Sequence, residues 1–156
     1  MLWQNILMKI YSLLILSTLI ISFSQETQSQ VRPLEEILTE NINNDDFIAS
    51  YSSKRCAATF LEVASVLQTE YPDLTKQLID KSSELVLVAS TVDYGMSVEN
   101  IDMNKVSKTQ EEVHKIRKVL SDVSTNSYAK TGSYLEGHTE DLKLCRELFP
   151  LNEKIF

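Results

Sequence analysis

At 156 residues the chain is long enough for one domain with its own core and too short for two comfortable ones. Its 15 basic and 22 acidic residues leave a formal charge of -7, and no stretch gathers Lys or Arg with aromatics; both features argue against nucleic-acid binding and against adhesion to anionic lipid. Only 3 Gly and 3 Pro, among 43% hydrophobic and 24% charged residues, leave few sharp turns, which favours long helices over many strands.

The uncharged run Ile10 to Phe23 follows Lys9 and precedes Ser24 and the polar stretch Gln25 to Gln30, the layout of a secretory signal peptide. Ser22 and Ser24 supply small residues at the third and first positions before a cut at Gln25, so residues 1–24 are expected to be removed. Met8, directly before Lys9, offers an alternative start. The competing reading is an uncleaved membrane anchor, since Leu2 to Phe23 spans 22 residues. A crossing helix needs about 20 residues. Lys9 divides the run and leaves 14 uninterrupted residues, which favours cleavage. Contact with a membrane is expected only if the leader stays attached.

Residues 25–45 read as a polar arm carrying one short helix. Pro33 suits its first position, Glu35 and Glu36 suit its positive end, and the asparagine-rich stretch Asn41 to Asn44 closes it. Residues 46–156 are then the helical domain. Segment A runs from about Asp46 to Tyr71, opened by Asp45 or Asp46 as a cap. Its seam is Ala49, Ser53, Cys56, Phe60, Val63 and Leu67, spaced alternately four and three apart. Pro72 ends A and opens B, where Leu78, Ser82, Leu85, Ala89, Val92 and Met96 repeat that spacing. Leu85 to Ala89 is apolar on every side, which predicts the middle of B as the most buried stretch.

After Gly95 and a polar connection, Val106, Val113, Ile116, Leu120 and Val123 mark segment C, with Gly132 just past its end. Thr109 and Glu112 have capping-box spacing, which offers Thr109 as a second starting point for C. Segment D begins near Tyr134 or Thr139, carries His138, Leu142, Cys145 and Phe149 on one face, and stops at Pro150. None of the four can bury its stripe alone, so the expected fold is all-α, an up-and-down four-helix bundle preceded by a signal peptide and a short leading helix.

The only two cysteines, Cys56 and Cys145, fall on the inner faces of A and D, which are neighbours in such a bundle. In an oxidising compartment an even count predicts pairing, and closing a loop of this length stabilises by roughly 4–5 kcal/mol. A separation of 89 positions argues against a redox pair, and neither cysteine lies in a C-x-x-C-H haem motif.

Catalytic and metal motifs are weak. Glu111 and His114 give one E-x-x-H where a di-iron bundle needs two, and the seam of C puts both on the outer face. His138 shares the inner face with Cys145 and is the one candidate for a polar core or ligand site. As a zinc ligand it would need thiolates that the disulfide consumes. Ser127 to Gly132 matches S-x-x-K and K-T-G through a single shared lysine, Lys130, without the third motif of the penicillin-recognising enzymes. No P-loop, nucleophile elbow, zincin or dinucleotide fingerprint occurs. No catalytic residue, metal or cofactor is therefore assigned.

The leading expectation is an exported protein of the periplasm or extracellular space, a non-enzymatic accessory or protein-binding module. The alternative is a bundle holding a small apolar ligand, a metal or a non-covalent cofactor between its helices. A third reading, an enzyme whose residues converge only in three dimensions, takes His138, Tyr134 and Glu140 as its first suspects.

Overall fold

The computed structural model describes residues 31–151. The expected signal peptide, the cut near Ser24 and the start of the polar arm lie outside the described residues, as do residues 152–156. Five α-helices follow one another: α1 Leu34–Glu40, α2 Asp45–Leu67, α3 Pro72–Tyr94, α4 Met103–Thr131 and α5 Thr139–Leu148, with a 3-10 turn at Glu136–His138 before α5. Among the described residues the chain is all-helical.

Local sequence accounts for the helix ends. Asn44 accepts a hydrogen bond from the Phe47 amide and so caps α2, and Pro72 sits in the first turn of α3, where its missing N–H costs nothing. Gly95 and Gly132 end α3 and α4 with φ of 57° and 76°, a conformation that side chains with a Cβ resist. The capping box at Thr109 is not used. Asp102 caps α4 instead, accepting from the Asn104 amide at 2.9 Å, and Thr109 lies fully buried two turns in. The seam residue Val106 is buried as well, so starting the helix earlier buries an extra turn of it.

Cross-helix contacts fix the directions. Ser50 pairs with Asp93 and Ala57 with Ser82, so α2 and α3 are antiparallel, whereas Lys54 with Glu112 and Glu62 with Ser124 make α2 and α4 parallel. The 3-10 turn and α5 return alongside α2, with His138 at the level of Glu62 and Asp141 at that of Arg55.

Burial differs from the sequence expectation at B. Leu87 and Val88 in the middle of α3 are 39% and 38% exposed, while α2 is the central helix, touched by α1, α3, α4 and α5. The reason is side-chain size. Between Ser50 and Ala64 the inward residues include Ser50, Ser53, Ala57, Ala58 and Ala64, short enough for neighbours to approach from several sides. The Ser82 hydroxyl reaches the Ala57 backbone carbonyl at 3.0 Å, a contact that requires α2 and α3 to lie close. Larger residues fill the rest of the core: Leu34, Phe60, Leu78, Leu85, Val113 and Leu120.

Candidate functional site

Cys56 and Cys145 are joined, with Cα atoms 5.3 Å apart and both side chains fully buried. The bond ties α5, only ten residues long, to the central helix. One turn away, Asp141 accepts from Arg55 Nε at 2.7 Å and lies 2.6 Å from the second guanidinium nitrogen. Its other oxygen accepts from the Leu34 amide at 3.0 Å, which satisfies the first free N–H of α1. A single carboxylate therefore joins α1, α2 and α5. Arg55 and Asp141 are both buried, so the pair is screened little by solvent.

His138 is 2% exposed and belongs to a second buried network. Its Nε2 lies 2.6 Å from Ser124 Oγ, which lies 3.0 Å from Glu62 Oε1, and Arg117 Nε approaches Glu62 Oε2 at 3.4 Å. Ser124 owns one proton. That proton goes to Glu62 Oε1, and which atom donates between Ser124 and His138 is set by the ring's tautomer. Burial lowers the His138 pKa, and Arg55 works in the same direction. The charges of Glu62 and Asp141 and a hydrogen bond with the Leu120 backbone oppose the shift without reversing it.

Serine, histidine and an acid are the ingredients of a hydrolytic triad, but here they stand in another order. In a triad the imidazole sits between serine and acid and takes the serine proton. Here the serine stands between them, spends its proton on the acid, and is buried along with Glu62 and His138. The arrangement locks the 3-10 turn onto α2 and α4. Gly137 permits that approach, because a Cβ there would stand 2.7 Å from Val123 Cγ1. The sequence suspects for an enzyme do not gather: Tyr134 stacks on Tyr128 at 4.2 Å, and Glu140 is solvent-exposed. Glu111 and His114 are exposed on α4, and among the described residues no group of three His, Cys, Asp or Glu side chains is placed to hold a metal ion.

Sequence reasoning missed Arg55, Glu62, Ser124 and Asp141. A signal was present. Asp141 is three residues after His138 and four before Cys145, squarely on the inner face of D. Arg55 and Glu62 are the only charges in Arg55 to Ala64, a segment otherwise small or apolar.

One end of the molecule holds the α1–α2 connection, the last turn of α3, the α3–α4 connection and the start of α4. The three most exposed large apolar side chains among the described residues lie there: Val98 at 81%, Ile42 at 67% and Met103 at 66%. Ile101 adds a fourth, and Phe47 stacks on Tyr51 below, with centroids 5.4 Å apart. Just inside that end, Lys54 binds Asp93 and Glu112, each at 2.6 Å. Burial disfavours its charge, yet the two carboxylates outweigh this and raise its pKa above the ordinary lysine value. This bridge pins α2, α3 and α4 together beneath the apolar residues.

Along α5 and the residues on either side of it, a shallow groove of about 550 Å³ is lined by the apolar Leu135, Leu142, Pro150 and Leu151 and by the charged Lys143, Arg146 and Glu147. Among the described residues no helix is long and apolar enough to cross a membrane. Compared with known protein families, with curated proteins and with solved structures, the chain matches none.

Proposed function

We propose that this chain is an exported helical binding protein of the periplasm or extracellular space, engaging a protein partner through the loop end of its bundle. The carrying observation is the exposure of Ile42, Val98 and Met103 at that one end, while the polar groups of the bundle are spent on internal networks. Apolar side chains that a fold leaves in water together are characteristic of interaction surfaces. The leader layout of residues 1–24 and the Cys56–Cys145 bond support export into an oxidising compartment. Neither buried network offers a reacting group to a substrate, which favours a binding role.

The test is a photo-crosslinking amino acid placed at Val98 and, as a control, at Ser83 on the outer face of α3, in protein expressed in its native host. A discrete adduct from Val98 and none from Ser83 is expected. Equal labelling from both positions, or none from Val98, contradicts the reading. The groove beside Leu142 supports a second reading, a small amphiphilic ligand with an apolar body. Native mass spectrometry decides between them, since added mass that is lost on denaturation identifies a bound ligand.

A further inference from the structure

The loop end is apolar at its tip and predominantly acidic around it. No Lys or Arg occurs between Arg32 and Lys54, nor between Lys81 and Lys105, and these two stretches build the end. Of the cations nearest to it, Lys54 is held by Asp93 and Glu112, the Lys105 ammonium lies 5.6 Å from the centroid of the Tyr94 ring, and Lys108, about one turn further along α4, is exposed and in no ion pair among the described residues. Asp45, Asp46, Glu99 and Asp102 are exposed around Ile42, Val98 and Met103, and none of the four is in an ion pair within the described residues. Elsewhere some exposed acids have cations beside them, as in Arg32 with Glu36 and Glu40, Lys76 with Asp80, and Lys81 with Glu84, and others, such as Glu70 and Asp73, do not; what sets this end apart is that its acids surround exposed apolar side chains.

Resting on the binding role argued above, we infer that the partner of this end is a cationic amphipathic protein segment, one that lays apolar side chains on Ile42, Val98 and Met103 and brings Lys or Arg to Asp45, Asp46 and Glu99. Charge decides among the occupants. An anionic bilayer or nucleic acid would be repelled. Two copies meeting through the same end would set like charges against each other, which costs affinity. A neutral apolar surface would leave the carboxylates desolvated and unpaired. A cationic amphipathic segment satisfies both the apolar contact and the charges, and long-range attraction speeds its arrival.

Fluorescence anisotropy of the full, disulfide-intact chain with labelled helical peptides tests the inference. The probes are an amphipathic Leu/Lys peptide and its Leu/Gln and Leu/Glu counterparts, with phosphatidylcholine vesicles and the chain's own concentration series run beside them. The Leu/Lys peptide is expected to bind roughly tenfold or more tightly than Leu/Gln, with affinity falling as salt rises. Two variants must each weaken it: Ile42→Ser/Val98→Ser/Met103→Ser, and Asp45→Asn/Asp46→Asn/Glu99→Gln. All six side chains are exposed, so the circular dichroism and melting temperature of both variants are expected to stay close to those of the parent. Equal binding of Leu/Gln, weakened only by the serine variant, would keep the surface and overturn the cationic partner. Unchanged Leu/Lys binding by the serine variant overturns both. Vesicle binding or self-association that the serine variant abolishes would replace the cationic segment by lipid or by a second copy, and so overturns the inference.

Discussion

Replacing Asp141 by alanine removes three hydrogen-bonding contacts at once: Arg55 Nε at 2.7 Å, the second Arg55 nitrogen at 2.6 Å and the Leu34 amide at 3.0 Å. What remains is the guanidinium of a buried arginine without its carboxylate, together with a buried amide that has lost its acceptor. Breaking a buried ion pair from one side costs about 3–5 kcal/mol, and an orphaned buried amide adds about 1–3 kcal/mol, part of which is already counted in the first figure. The expected loss is therefore about 4–5 kcal/mol, a large share of the roughly 5–15 kcal/mol that domains possess. Urea unfolding followed by far-ultraviolet circular dichroism reads it, with the Cys56–Cys145 bond intact in both proteins so that the crosslink cancels. The double variant Arg55→Met/Asp141→Leu is expected to recover much of the loss, because apolar replacement of both partners removes the stranded charge. A loss below about 1 kcal/mol for Asp141→Ala would refute the reading that this carboxylate joins α1, α2 and α5.

Other expectations follow from the same geometry. Gly137→Ala brings a Cβ to 2.7 Å from Val123 Cγ1 and is expected to cost about 1–3 kcal/mol in urea unfolding, with Val123→Ala restoring part of it. Because burial lowers the His138 pKa, its contribution to stability is full above the unfolded value of 6.5 and is lost as pH falls below it. Urea midpoints should therefore drop further between about pH 7 and 5 for the parent than for His138→Asn, and equal drops would contradict the sign. Cys56→Ala/Cys145→Ala opens a crosslink across 89 positions and is expected to cost about 4–5 kcal/mol, measured by guanidinium unfolding.

Much of this bundle is legible in periodicity, because an inward stripe and a Gly or Pro at its end are local properties. The seam of A through Ser53, Cys56, Phe60 and Val63 is buried in α2, and His138 and Cys145 face inward from the last segment. Periodicity cannot say which helix takes the centre. Leu85 to Ala89 looks more hydrophobic than Ser50 to Ala64, yet the latter is central because small side chains admit neighbours from several directions. The polar networks were hidden for a related reason. A charged residue reads as a solvated one until its partner is known, and the partners of Arg55 and Glu62 lie 86 and 62 positions away. The exposed end at Ile42, Val98 and Met103 was equally invisible, since single apolar residues far apart in sequence share one end only once the helix directions are known.

Size-exclusion chromatography of gently released native-host extract, comparing the parent chain with Ile42→Ser/Val98→Ser/Met103→Ser, tests the binding role most directly. The parent is expected to elute in a complex larger than the free chain, and the variant, folded and equally abundant, as the free chain. Co-elution of both proteins in the same complex, or of both as free chains, would contradict the assignment of this end as the interaction surface.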